Sequence, residues 1–322
     1  MIEVLAPGLL SSLQDRGRPG LAHLGIGRAG AADLPALRLA NALVGNPPDA
    51  CAMEITLTGP ALRLHRDVEI ALTGAPVAAE ANGRPLPGWT PLRLRAGSVL
   101  RLGGMRRGCR SYLAVRGGID VAMVLGSRSQ DLNAGLGPLD GRALRAGDRL
   151  PLGAADAFAG DADHAAWSLD PRPWFDGAAA RPLRLLAGTH TAALDEASRE
   201  TLFASGFRVA AASNRVGCRL DGPRLALRAP LELISEGVIA GTVQLPPNGQ
   251  SIVLFCEHPV SGGYPRIGQL AAVDLPRLAQ RRPGDALRFA PIDAGEAARL
   301  LEAREQRLLR METAIARRRA AS

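Results

Sequence analysis

Leu92-Arg93-Leu94-Arg95-Ala96-Gly97-Ser98-Val99-Leu100-Arg101-Leu102-Gly103-Gly104-Met105-Arg106-Arg107-Gly108-Cys109-Arg110-Ser111-Tyr112-Leu113-Ala114-Val115 sets the reading of the whole chain. Its apolar residues come in short runs at 92–94, 98–102 and 111–115, separated by glycine-containing turns. Runs of that length predict many short strands, not helices. The same texture, punctuated by Gly, Pro, Asn and Asp, fills residues 1–155. One stretch breaks it: Leu34, Leu37, Leu39, Ala40 and Leu43 recur at near-helical intervals between a cap residue, Asp33, and Gly45. A helix is expected there, inside an otherwise β domain.

Residues 156–181, rich in Ala, Asp, Gly and Pro, read as a linker that ends a first domain at 1–155. Short runs and turns return over 182–292, the expected second domain. Residues 293–322, rich in Ala, Leu, Glu and Arg, carry a broken apolar stripe at Leu300, Leu301, Leu308 and Met311, which predicts a C-terminal helix and tail. The two β regions also echo each other in order. Leu57-Thr58-Gly59-Pro60-Ala61-Leu62 returns as Leu220-Asp221-Gly222-Pro223-Arg224-Leu225, Asn82-Gly83 as Asn248-Gly249, and Arg95-Ala96-Gly97-Ser98-Val99-Leu100 as Arg282-Pro283-Gly284-Asp285-Ala286-Leu287. This suggests an internal duplication, although Arg145-Ala146-Gly147-Asp148-Arg149-Leu150 is a third copy of the last turn.

Composition narrows the chemistry. With 47% hydrophobic and 22% charged residues over 322 positions, the chain has enough apolar material for two cores. No secretory leader or membrane span is legible, so a cytoplasmic location is expected, with no membrane partner. The charge of +8 is spread along the chain and only 3% of residues are aromatic, which argues against a nucleic-acid partner. All 39 basic residues are arginine. Without lysine there is no Schiff-base nucleophile, no Walker A lysine for ATP and no attachment point for biotin. Cys51, Cys109, Cys218 and Cys256 stand too far apart for a zinc or redox motif, and the five histidines share no ligand spacing, so no metal site is expected.

Four polar, glycine-rich segments remain as candidate binding elements. Gln14-Asp15-Arg16-Gly17 sets a guanidinium beside a carboxylate, a pairing suited to anions, and Ser213-Asn214-Arg215-Val216 repeats an arginine at a turn. Glu236 and Gln244 are polar residues within strand-like sequence and need partners or a ligand. In Glu257-His258-Pro259-Val260-Ser261-Gly262-Gly263-Tyr264-Pro265 the two glycines leave room beside exposed backbone amides. Asp15, Arg16, Asn214, Arg215, Gln244, Gly262 and Gly263 are therefore the expected substrate-binding residues, with Glu236 and Glu257 as acid or base and Tyr264 as an orienting hydroxyl. On this reading Arg215→Ala impairs substrate binding more than folding.

These segments, taken with Gly30-Ala31-Ala32-Asp33, Arg38-Leu39-Ala40-Asn41-Ala42-Leu43-Val44-Gly45-Asn46, Glu54, Ser111-Tyr112-Leu113-Ala114-Val115-Arg116-Gly117-Gly118, Leu125-Gly126-Ser127-Arg128-Ser129 and Gly241-Thr242-Val243-Gln244-Leu245-Pro246, resemble the biotin-dependent carboxyltransferase, or allophanate hydrolase subunit 2, family over about residues 2–292. That family includes the C subunit of prokaryotic 5-oxoprolinase. The resemblance implies two cyclophilin-like β-barrel domains, A- and B-type partner subunits, a small amide or lactam substrate, and ATP used through the complex to open 5-oxo-L-proline to L-glutamate. It leaves two alternatives: a carboxyltransferase component served by a separate biotin carrier in a urea amidolyase-like system, or a non-catalytic binding protein resembling a kinase-inhibitor antagonist. The chain departs from the family's usual pattern at Ala29, Ala32, Asn214, Val216, Cys218, Glu257 and 259–261.

Overall fold

The computed structural model describes residues 1–155, 165–175 and 181–321; most of the expected linker, at 156–164 and 176–180, lies outside the described residues. The chain divides into two compact units. One is Met1–Arg18, Asp33–Gly177 and Leu308–Ser322; the other is Pro19–Ala32 and Ala178–Arg307. Strands dominate both, as the turn-punctuated sequence predicts.

In the first unit a six-stranded antiparallel sheet runs in the order Arg149–Leu150, Ile2–Ala6, Ala61–Leu64, Val99–Met105, Val77–Ala81, Arg84–Pro85. A five-stranded sheet runs Leu10–Gln14, Ala52–Thr56, Arg110–Val115, Val68–Gly74, Leu92–Leu94. Every residue of Arg110–Val115 and of Val68–Gly74 is buried, because α1 (Leu34–Leu43) packs on both strands. Asp33 caps that helix, its Oδ1 accepting from Ala36 N at 3.1 Å, and Leu37, Leu39, Ala40 and Leu43 carry its buried face. Residues 165–175, within the expected linker, also attach to this unit. Leu169 N donates to Trp89 O at 2.8 Å, and the buried Phe175 ring lies so close to Gly108 that a Cβ there would come within 2.6 Å of it.

The second unit is an eight-stranded sheet in the order Ala286–Leu287, Phe207–Val209, Gly217–Asp221, Ile252–Leu254, Thr242–Gln244, Arg266–Leu270, Leu183–Ala187, Phe289–Pro291. Its two outermost strands are neighbours in the chain, so the sheet curls into a nearly closed barrel. Leu185, Val209, Leu220, Val243, Val253, Ile267, Leu287 and Phe289 fill it, joined by Ala32 from the Pro19–Ala32 segment. A two-stranded ribbon, Glu236–Gly237 with Ser261–Gly262, stands apart from the sheet. The helix α2 (Glu196–Ala204) is not legible in the sequence: only Ser198 and Leu202 of it are buried, too few for an apolar stripe, and its start is fixed by Asp195 accepting from Ser198 N at 2.6 Å. A short α3 covers Leu275–Ala279, and the expected C-terminal helix is α4, Ala294–Ala320.

Residues of α4 from Leu308 onward count with the first unit. There Arg38 binds Glu312 through two hydrogen bonds of 2.8 and 2.7 Å, while Arg319 pairs with the buried Glu69 at 2.8 Å and donates to Leu43 O at 2.5 Å.

In the second unit Asp274 is fully buried and accepts from the backbone N, Nε and NH2 of Arg184 at 2.8, 2.9 and 2.6 Å. Burial pushes its carboxyl up, but the hydrogen bonds from Arg184 and the charges of Arg277 and Arg184 outweigh burial and hold it below the ordinary 3.8. A depressed folded-state value means stabilisation that is complete above the unfolded value and lost as pH falls through it toward the folded one. The stability gap between the parent protein and Asp274→Asn is therefore expected to narrow as pH is lowered from about 6 to about 3 in urea titrations. A gap that stays constant over that range would refute the assignment.

Candidate functional site

The ten sequence-predicted residues fall in both units. In the first, Asp15 closes the strand Leu10–Gln14 and is 8% exposed. Its carboxylate accepts from Ser127 Oγ at 2.6 Å, Ser129 Oγ at 2.6 Å, Arg128 N at 2.6 Å and Gly17 N at 2.7 Å. That arrangement makes it the organiser of the 127–130 loop, while Arg16 beside it is exposed. Arg18, which carried no prediction, is 1% exposed and donates to Ser129 O. Gln130 Oε1 accepts from Leu13 N at 2.7 Å and completes the lock.

The first unit also holds a buried polar chain. Tyr112 OH donates to Glu54 Oε2 at 2.7 Å and accepts from Asp33 N at 2.7 Å, which joins the sheet to the start of α1. Burial first, then the Glu54 and Asp33 charges, push the Tyr112 phenol well up. It is a fixed neutral donor. The signal for this chain was a lone Glu at 54 and a lone Tyr at 112, both inside apolar strands.

The other eight predicted residues lie in the second unit. Arg215 and Glu257 are each 3% exposed, and Arg215 Nε donates to Glu257 Oε1 at 2.5 Å. Their main chains are joined as well, Glu257 N donating to Arg215 O at 2.8 Å. Arg215 NH2 reaches Gly30 O at 2.8 Å and so holds the Pro19–Ala32 segment against its own unit. A guanidinium buried and already matched to a carboxylate and a carbonyl ties those segments together. The geometry therefore makes this pair a clamp between segments. Asn214 is exposed and spends its Oδ1 on Val216 N at 2.9 Å and Gly217 N at 3.2 Å, the local turn typical of Asn.

Glu236 is exposed, forms an ion pair with Arg266 and faces Gly262 in the ribbon. Tyr264, just past the ribbon, is 46% exposed. Gln244 points from the barrel toward Gly262: a Cβ on Gly262 would lie 2.5 Å from Gln244 Nε2. The structure thus brings Glu236, Gln244 and Gly262 together, with Gly263 and Tyr264 following directly in the chain, and keeps Arg215 with Glu257. His190, unpredicted, accepts from Arg266 N through Nδ1 at 3.1 Å.

Among the described residues no three His, Cys, Asp or Glu side chains form a group able to hold a metal ion. Cys51 is buried, and burial first, then the Asp15 charge, push its thiol up, so it is no nucleophile. A nucleotide phosphate finds no cradle at the starts of α1, α2 and α4. Each is occupied by an aspartate carboxylate, from Asp33, Asp195 and Asp293. No described helix is long and apolar enough to cross a membrane.

The family model of the carboxyltransferase domain, subdomain A and B, matches residues 24–291. The C subunit of 5-oxoprolinase from Escherichia coli (strain K12) is 40% identical over 299 residues, 92% of this chain and 93% of that one. The urea amidolyase of Lachancea kluyveri is 30% identical over 96% of this chain, which spans 18% of that much longer protein. The crystal structure of the K. lactis urea amidolyase superposes with a TM-score of 0.87 at 30% identity, over 95% of this chain and 20% of that one.

Proposed function

Because the chain belongs to the carboxyltransferase domain family, subdomain A and B, we propose that it is the C subunit of an ATP-dependent 5-oxoprolinase that opens 5-oxo-L-proline to L-glutamate. The observation that carries this reading is the match to a 5-oxoprolinase C subunit along nearly the full length of both chains. Against urea amidolyase the chain corresponds to one segment of a much larger polypeptide.

The proposal places the chain in a cytoplasmic complex with A- and B-type subunits. A lactam carbonyl is a poor electrophile, and phosphorylating its oxygen with ATP gives water a carbon to attack and a phosphate to expel. The absence of lysine from the sequence, and so of a Walker A lysine, supports putting ATP on a partner, with this chain contributing to the lactam pocket. Glu236, Gln244, Gly262, Gly263 and Tyr264 are the proposed substrate-side residues. The Arg215–Glu257 clamp and the Asp15-centred loop hold the backbone on either side of the linker.

A tagged copy drawn from its native cell, with accompanying subunits identified by mass spectrometry, is expected to release ADP in proportion to added 5-oxo-L-proline. Omitting this chain from a reconstituted mixture should lower that rate at least tenfold. A stable complex that contains a biotinylated protein and is silent toward 5-oxo-L-proline would instead select the urea amidolyase-like carboxyltransferase.

A further inference from the structure

The second unit buries a hydrogen-bond donor that has nothing to donate to. Gln244 is 5% exposed, and its Nε2 has no hydrogen-bond partner. An unsatisfied buried amide works against folding, so its presence calls for a compensating gain.

The surroundings aim that amide at one place. Along the strand pair of Thr242–Gln244 with Arg266–Leu270, Val243 faces Gly268 but Gln244 faces Arg266, a bulge of one residue. Bulges bend a strand and redirect a side chain. Leu245 N donates to Pro265 O at 2.9 Å and pins the backbone just beyond. What covers Nε2 is Gly262, where any side chain would collide with it. Gly262 belongs to the Glu236–Gly237/Ser261–Gly262 ribbon, whose pairing is two residues long. Arg266 tethers that ribbon from below, with NH1 donating to Gly237 O at 3.3 Å and NH2 to Glu236. The ribbon's run from Leu231 to Gly237 is exposed throughout except for half-buried Leu233. One further main-chain bond, Val238 N donating to Val260 O at 3.1 Å, continues the pairing, so a short glycine-bearing ribbon rests on an unsatisfied amide.

We propose that this ribbon is a flap, and that lifting it lets Gln244 Nε2 donate to the carbonyl oxygen of a small planar amide or lactam lying against Gly262 and Gly263. The bare glycine surface gives a flat ring the close approach that a Cβ would deny. The ligand oxygen supplies the acceptor the folded chain lacks, so the cost of the buried donor is recovered only in the bound state. The proposal rests on the small-amide reading above for its ligand class, but its test separates the two.

The test uses the chain purified with the subunits that accompany it, titrated calorimetrically with 5-oxo-L-proline, 2-pyrrolidinone and urea. Gln244→Met keeps the side chain's length and apolar packing but removes the donor. It is expected to melt at or above the parent temperature while binding the effective ligand at least tenfold more weakly. Gly262→Ala is expected to weaken binding as well. If Gln244→Met binds 5-oxo-L-proline as tightly as the parent does, the flap site is wrong and the proposed function stands. If 2-pyrrolidinone or urea binds with Gln244 dependence and 5-oxo-L-proline does not, the site stands and the proposed substrate falls. Failure of all three to bind the parent protein would overturn the site.

Discussion

Arg215→Ala is expected to destabilise the second unit by about 3–5 kcal/mol, because it leaves Glu257 charged, buried and unpaired. The pair is 3% exposed on both sides, its bond is 2.5 Å long, and the same guanidinium holds Gly30 O. Glu257→Ala should cost a similar amount by stranding the arginine. Replacing both with methionine removes two charges together and should restore most of the loss, as buried pairs elsewhere are replaced by apolar side chains at little cost. Urea unfolding followed by far-UV circular dichroism is the suitable measurement, since all three tryptophans, Trp89, Trp167 and Trp174, lie in the first unit. Single substitutions that each cost under about 1 kcal/mol would show the pair to be solvated and open to ligands. The consequence for enzymology is direct. With a loss of that size, reduced activity in Arg215→Ala reports lost structure together with any lost binding, and ligand affinity measured on the folded fraction separates the two.

The second large effect is expected at Asp15. Alanine there removes the acceptor for two serine hydroxyls and two backbone N–H groups at once. Each buried donor left without a partner costs about 1–3 kcal/mol. With water filling part of the vacancy, the net loss should be about 3 kcal/mol, and Asp15→Asn, which keeps one acceptor oxygen, should lose about half of that. Tryptophan fluorescence during urea unfolding reads this unit. A change below about 1 kcal/mol for Asp15→Ala would mean that the 127–130 loop is held by other contacts.

How far the sequence could be read depended on the range of the interactions involved. Local patterns translated well. The cap at Asp33, the periodic leucines after it and the stop at Gly45 gave α1 almost to the residue, and the Ala-Leu-Glu-Arg tail gave α4. The echoed turns also share a physical cause. Gly97, Gly147 and Gly284 all take left-handed backbone, with φ of 83°, 89° and 88°, so three sites use one piece of turn chemistry. That recurrence explains the similar spelling whether or not the halves arose by copying. Long-range partnerships stayed invisible. Nothing in Ser213-Asn214-Arg215 points to Glu257, and nothing in Gln14-Asp15-Arg16 points to Ser127 and Ser129. The inclusion of Pro19–Ala32 in the second unit is hidden for the same reason, since it depends on Ala32 entering a core and on Arg215 holding Gly30 O. Gln244 is the useful intermediate case: its polar side chain in an apolar strand was visible as an anomaly, while the lack of a partner needed coordinates.

The near-closure of the eight-stranded barrel limits how another chain can attach to it. Both outer strands, Ala286–Leu287 and Phe289–Pro291, lie on one short stretch around Arg288, and the second contains a proline. A sheet whose margins are brought together like this offers almost no unpaired main chain for an incoming strand to extend. The barrel resists edge-to-edge aggregation for that reason and leaves a companion protein little edge to extend. Recruitment to the barrel itself is then left to its side chains and loops, and main-chain pairing in this unit to the short Glu236–Gly237/Ser261–Gly262 ribbon.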